Sequence, residues 1–225
     1  MWAWIQGSFP CSNPEGYECD SMQTVPRSIV YSKELNTLII NPIAEVDALR
    51  TGLLVRKSGI HVTPSATVVE GAAGATLDAT VNFTCTPTSD SAGAGAAGAY
   101  CSAGVLLRVS ADGTSGVMVN FTASLIGGTG SASNDTGAGA GAGADTGSSA
   151  KVTAAYVSIA SFGANGPEYS TSAEQGHAPI EVPFESGEAF SQFNLRVLVD
   201  TSVIEVYAMN GRVVFTMMHV TLSYI

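Results

Sequence analysis

Charge is scarce in this sequence. Only 12% of its 225 residues are Asp, Glu, Lys or Arg, and the balance is acidic: 19 Asp+Glu against 9 Lys+Arg, a formal net charge of −10. Such a surface repels a polyanion, and no basic run or arm offsets it, so nucleic-acid binding is set aside. Lysine is nearly missing, with Lys33, Lys57 and Lys151 the whole complement. No apolar run reaches the ~18 residues that a membrane-spanning helix needs, and no such span is expected. The opening Met1-Trp2-Ala3-Trp4-Ile5-Gln6-Gly7 has neither the basic nor the apolar stretch of a secretory leader. His61, His177 and His219 are scattered and no Cys-x-x-Cys pair occurs, which argues against a zinc site. No metal or other cofactor is expected.

What is present points to the secretory route. Three Asn-x-Ser/Thr tripeptides occur, at Asn82-Phe83-Thr84, Asn120-Phe121-Thr122 and Asn134-Asp135-Thr136. Each alone is weak, but three in a lysine-poor chain favour a glycoprotein, with its leader expected upstream of Met1. Four cysteines, Cys11, Cys19, Cys85 and Cys101, are compatible with two disulfides in any of three pairings.

Along the chain the signals are those of an all-β protein. Trp2-Ala3-Trp4-Ile5 reads as a strand, and Ser28-Ile29-Val30-Tyr31 and Thr37-Leu38-Ile39-Ile40 as a hairpin across Lys33-Glu34-Leu35-Asn36. A short helix follows, with Asn41 as N-cap, Pro42 at the first position and Gly52 just past the end. From about residue 60 strands dominate: Leu77 to Phe83, Gly104 to Val109 and Gly116 to Phe121. Ala92 to Ala99 and Gly137 to Ala144 carry no bulky side chains and are expected to be loop insertions at hairpin tips.

The last third carries the clearest pattern. Leu195-Arg196-Val197-Leu198-Val199-Asp200 places Leu195, Val197 and Val199 on one face. Val203-Ile204-Glu205-Val206-Tyr207-Ala208 repeats the period after a turn at Thr201-Ser202. Met209-Asn210-Gly211 is a hairpin turn, and Arg212 to Met217 returns. A three-stranded antiparallel meander of this kind predicts a β-sandwich.

The run from Phe193 to Ala208 (FNLRVLVDTSVIEVYA), continuing through Asn210-Gly211-Arg212-Val213-Val214-Phe215-Thr216, resembles the C-terminal sandwich signature of glycoside hydrolase family 32, the invertases, fructan hydrolases and related fructosyltransferases. Val182-Pro183 and Gly187-Glu188-Ala189-Phe190 fit the approach to that strand. Trp2 to Ile5 and Met22 to Val30 resemble the last blade of the family's five-bladed propeller. Asn41 to Arg50 resembles its linker helix, and Leu77-Asp78 its first sandwich strand. The matches cover roughly half the chain, whereas the Gly/Ala tracts and Tyr156 to Gln175 match poorly. The resemblance implies residues 1–40 as the end of a catalytic propeller, an incomplete last blade. Residues 41–57 become the linker helix and connection. Residues 58–225 become a β-sandwich, with Gly/Ala-rich insertions near 88–100 and 127–150.

It also implies retaining hydrolysis of a fructosyl bond, in which one carboxylate attacks the anomeric carbon and a second, ~5–5.5 Å away, protonates the leaving oxygen. The family's "N-D-P-N" and "R-D-P" motifs are absent here. Glu18-Cys19 spells the acid/base "E-C" motif, yet it lies only eight positions before Pro26, in the wrong context, and a polar loop residue is the expected reading. The chain is therefore expected to brace the catalytic propeller of the same, longer chain and to meet sucrose or a fructan only through that domain. Its destination would be the cell wall, the extracellular space or the vacuole. A stand-alone carbohydrate-binding sandwich without catalysis is the alternative. Asp200 and Glu205 are expected to anchor the turn or face water, Arg196 and Arg212 to meet one of them across the sheet, and Arg27 to make a structural ion pair. Of Trp2 and Trp4, core is the favoured place.

Overall fold

A computed structural model of the chain describes residues 1–9, 19–52, 55–63, 65–74, 76–84, 99–126, 151–162, 180–184, 192–201 and 203–218. Two small antiparallel pairs come first: β1 (Trp4–Phe9) with β2 (Cys19–Gln23), and β3 (Arg27–Ser32) with β4 (Thr37–Pro42). A 3₁₀ helix, Ala44–Leu49, leads away from them. The remaining strands are β5 (Thr76–Thr84), β6 (Ala99–Leu107), β7 (Gly116–Ile126), β8 (Lys151–Phe162), β9 (Ile180–Glu181), β10 (Gln192–Asp200), β11 (Val203–Ala208) and β12 (Val213–Met218). They form two four-stranded antiparallel sheets, ordered β12-β11-β10-β5 and β6-β7-β8-β9. This is a β-sandwich.

The sandwich follows from alternation. In β7, Val117, Val119, Phe121 and Ala123 share the inward face and are fully buried, as are Ala155, Val157 and Ile159 of β8. They meet Phe193, Leu195 and Val197 of β10, Ile204 and Val206 of β11, and Phe215 of β12. Phe121 and Phe193 stack ring on ring between the sheets, and Phe83 of β5 extends the stack at 6.5 Å from Phe193. Each fully buried Val, Leu, Ile or Phe contributes roughly 1.5–3 kcal/mol, so this continuous layer dominates the stability of the unit. The β6–β7 turn is closed by its own side chains: Asp112 accepts hydrogen bonds from the Ser110 hydroxyl at 2.6 Å and from the Thr114 hydroxyl at 2.8 Å.

Several expectations need correction. The first strand starts at Trp4 rather than Trp2, and Trp2 is 63% exposed. Asn41 and Pro42 do not open the helix. They end β4, where they pair with Ser28 and Arg27 of β3, and the Asn41 side-chain amide donates to the carbonyl of Asn210 in the β11–β12 turn at 2.9 Å. The helix is a short 3₁₀ segment that starts after Ile43, has no side-chain cap, and ends at Arg50 rather than at Gly52. Lys151 to Phe162, which the sequence did not single out as a strand, forms a 12-residue strand antiparallel to β7. Its inward positions include Ala155, whose small side chain weakens the apolar period. Residues 85–98 and 137–144 of the Gly/Ala tracts lie outside the described residues, whereas Ala99, expected at the end of the first insertion, opens β6.

The turn between β11 and β12 touches the N-terminal strands. Met209, Asn210 and Gly211 all have positive φ (49°, 55° and 87°), and the Ile40 N–H donates to the Gly211 carbonyl at 2.9 Å. A Cβ on Gly211 would lie 2.3 Å from the Ile40 carbonyl oxygen. Backbone cannot step aside as a side-chain tip can. Gly211→Ala is therefore expected to destabilise the fold by at least ~1–3 kcal/mol from backbone strain alone, seen as a lower denaturant midpoint. An unchanged midpoint would show that this contact is not retained in solution.

Candidate functional site

The outward face of the β5-β10-β11-β12 sheet concentrates the polar side chains of the described residues. Period two puts Asp78, Thr80 and Asn82 of β5 on it, beside Asn194 and Arg196 of β10 and Glu205 and Tyr207 of β11. The N-terminal strands and the 3₁₀ helix lie against this face. Val46, Leu198 and Tyr207 form a second small core there, joined by Val25, Ile43 and Val214.

Its centre is a buried carboxylate. Glu205 is 3% exposed. One of its oxygens accepts the Val25 N–H at 2.7 Å; the other accepts the Arg27 Nε–H at 3.1 Å, a second contact from the Arg27 guanidinium, and the Tyr207 hydroxyl at 2.6 Å. Arg27 also reaches the Thr216 hydroxyl at 2.5 Å and lies over the Tyr207 ring, 5.5 Å from its centre. Burial, then the adjacent Glu205 carboxylate, pushes the Tyr207 hydroxyl well above its usual range, so it stays protonated and donates. Arg27 thus makes an ion pair, and its partner is a residue the sequence reading left to the turn or to water. An unpaired charge cannot be left in an otherwise apolar strand, and that is why Glu205 requires Arg27.

A second cluster clamps the helix. Asp78 receives two forked guanidinium groups: Arg196 at 3.1 and 2.8 Å, and Arg50 at 2.6 and 3.0 Å. Arg196 also bonds Asp47 of the helix at 2.7 Å. Burial alone would raise the Asp78 carboxyl, but the hydrogen bonds and charges of Arg50 and Arg196 outweigh it and hold it below its ordinary value. Here too the sequence reading needs correction. Arg196 pairs with Asp78 and Asp47 rather than with Asp200 or Glu205, while Arg212 donates to the Pro183 carbonyl at 3.1 Å and lies over the Phe184 ring. Outward side chains of β10 face β5, a neighbour distant in sequence that the local meander pattern did not reveal.

Beside these clusters is a polar hollow of about 330 Å³, lined by Asn41, Arg50, Thr80, Asn82, Asn194, Leu195, Arg196, Tyr207 and Asn210. Asn194 shapes its floor by accepting the Asn210 N–H at 2.9 Å.

Glu18, Cys11, Cys85 and Asn134 lie outside the described residues. Cys19 opens β2 opposite Phe9. Cys101 is disulfide-bonded. Asn82 is exposed on β5, and Asn120 sits on β7 with its amide oxygen accepting the Ser102 hydroxyl at 3.2 Å. No group of His, Cys, Asp or Glu suited to a metal ion occurs among the described residues. The carboxylates at the face are committed: both oxygens of Glu205 and of Asp78 accept hydrogen bonds from cations or N–H groups. This arrangement joins elements together; neither carboxylate is free to attack or protonate a substrate.

Removing Arg27 strands a buried charge, and Arg27→Met should cost ~3–5 kcal/mol in unfolding free energy. Arg27→Met combined with Glu205→Gln should cost less than Arg27→Met alone, because no charge remains while the Val25 N–H keeps an acceptor; equal costs in denaturant titrations would contradict the pairing. Asp78 supplies a pH signature. A folded-state value below the ordinary 3.8 gives stability that is present above that value and lost as pH falls through the lower one. Asp78→Asn should therefore melt earlier than wild type near neutral pH, and the two melting curves should converge on acidification below about pH 4.

Comparison with known proteins gives a consistent result. A family model described as "Glycosyl hydrolases family 32 C terminal" matches residues 45–219. No curated protein matches the chain. Among solved structures, fructan 1-exohydrolase IIa from Cichorium intybus superposes with a TM-score of 0.60 at 20% identity, covering 97% of this chain and 39% of that one. At that identity the likeness speaks to the fold, and this chain spans 39% of the length of the chicory enzyme. The family match, covering most of the chain and the whole sandwich, is decisive: this chain belongs to glycosyl hydrolase family 32 through its C-terminal domain.

Proposed function

We propose that the chain is the C-terminal portion of a β-fructofuranosidase-type enzyme acting on sucrose or fructans, in which the sandwich braces a catalytic domain and is inactive alone. The observation that carries this reading is the position of the family match. It begins at residue 45 and leaves β1 to β4 outside it, yet the superposition on the chicory fructan hydrolase covers nearly all of the chain. Residues 1–40 then belong to the last blade of the catalytic propeller, residues 41–57 to the connection and residues 58–225 to the sandwich. Tying blade to sandwich is the work of Arg27 and Glu205.

The exposed faces agree with a missing neighbour. Ile29, Val30, Tyr31 and Leu38 on the β3–β4 pair are all exposed. An isolated two-stranded sheet is marginal in water, and such apolar surface is ordinarily covered. In this reading the rest of the propeller covers it and supplies the paired carboxylates that fructosyl hydrolysis needs. Secretory passage to the cell wall, extracellular space or vacuole accords with the sequons and the disulfide-bonded Cys101.

The test is fructose release. The purified 225-residue chain should free no fructose from sucrose or inulin above a heat-treated control. Release that disappears in Glu18→Gln would place an active centre in this chain and overturn the bracing role.

A further inference from the structure

The two sequons among the described residues are not equivalent, and one of them opens onto the polar hollow. Asn82 is exposed on the edge strand β5, directly opposite Asn194 of β10, and lines the hollow with Thr80, Asn41, Asn210 and Arg196. Thr84, which completes the tripeptide, is exposed too. Asn120 sits instead on β7, between β6 and β8, with its amide nitrogen donating to the Thr122 hydroxyl at 3.4 Å and its oxygen engaged by Ser102.

The chemistry of the hollow selects a neutral polyol. Its cations are cancelled locally, since Arg50 and Arg196 are both paired with Asp78. What remains are amides and a hydroxyl, the groups that exchange hydrogen bonds with sugar hydroxyls. At about 330 Å³ it is at the small end of the ~300–1,000 Å³ range of ligand clefts, with room for a single sugar ring. It lacks a stacking platform, because Tyr207 is 1% exposed and its hydroxyl is held by Glu205. A free saccharide would bind such a shallow site weakly. A sugar tethered beside it is present at an effective concentration in the millimolar range, and needs little intrinsic affinity to stay.

We propose that Asn82 carries an N-linked glycan whose first N-acetylglucosamine is seated in this hollow, braced by Thr80, Asn194 and Asn210. The proposal rests on the secretory reading above. In the attachment step the Asn82 Nδ2–C1 bond forms as the C1–O bond of a polyprenyl-diphosphate-linked oligosaccharide donor breaks, and the amide proton leaves with the diphosphate. The seated sugar covers an exposed sheet edge and crosslinks β5 to the β11–β12 turn through hydrogen bonds.

The test uses the full chain secreted from a glycosylating eukaryotic host. Mass spectrometry of the Asn82 peptide should show occupancy that Asn82→Gln and Thr84→Ala both abolish. An endoglycosidase that leaves one N-acetylglucosamine should yield protein melting no lower than the untrimmed form and ~2–4 °C above both variants. Thr80→Val should narrow that gap without changing occupancy. Asn82 empty while Asn120 or Asn134 is occupied would overturn the seat and leave the secretory reading standing; all three empty would remove both. Equal melting of the single-sugar form and the unmodified variants would overturn the seat even with Asn82 occupied. Unglycosylated Thr84→Ala protein should show no binding of millimolar free N-acetylglucosamine or sucrose. Binding of either would make the hollow a free-saccharide site and overturn the tethered occupant.

Discussion

The ion pair between Glu205 and Arg27 is the constraint around which the chain is arranged. Strand β11 is buried at every position, so its one carboxylate has no route to water. It needs a cation, and the cation comes from 178 residues earlier in the sequence. Bringing Arg27 there also brings the Val25 N–H, the Thr216 hydroxyl and the Tyr207 ring into contact with it. An apolar substitute for the whole group is often as stable, so what the pair adds is geometry: it permits one placement of the N-terminal strands on the sheet and penalises others with an orphaned charge.

Much of this was legible in the sequence, and the reasons for success and failure are physical. The meander from β10 to β12 was readable because its pairing is local, its period is two, and Asn210-Gly211 marks the reversal. The β3–β4 hairpin was readable for the same reasons. The partners of Glu205, Arg196 and Arg212 were not, because each lies in an element far off along the chain and pattern reports only faces. A signal for Glu205 did exist: a single acid flanked by Val203, Ile204, Val206 and Tyr207 has apolar neighbours on both faces, which is the mark of a paired interior charge rather than a solvated one. The 3₁₀ helix was placed too early because Asn41 suits two roles, capping a helix and bonding the carbonyl of a distant turn from the end of a strand. Local sequence cannot choose between them. Strand β8 was hard to see because Ala154, Ala155, Ser158 and Ala160 dilute the apolar period that Val157 and Ile159 carry.

The same face shows how charge can be concentrated without reactivity. Asp78 and Glu205 are the kind of partly or wholly buried carboxylates that often mark catalytic centres. Here the hydrogen-bond census decides otherwise. Every oxygen of both is occupied, and guanidinium forks fix Asp78 in its ionised form. A catalytic acid needs the reverse: a carboxyl held protonated near working pH, with an open side toward substrate. The polar groups at this surface serve the joint between elements, which accords with the bracing role proposed for the domain.

The two described hairpin turns of the sandwich differ in what surrounds them. The one from Ser110 to Ser115 is closed by hydrogen bonds among its own backbone and side chains, and a methyl group added at Gly113 would meet nothing within 4 Å. The one at Gly211 is wedged against Ile40 and Asn41. Changes in length should therefore accumulate at the first tip and be purged at the second. Gaps in an alignment of this domain with its relatives are thus expected to avoid residues 209–212, whatever the drift elsewhere.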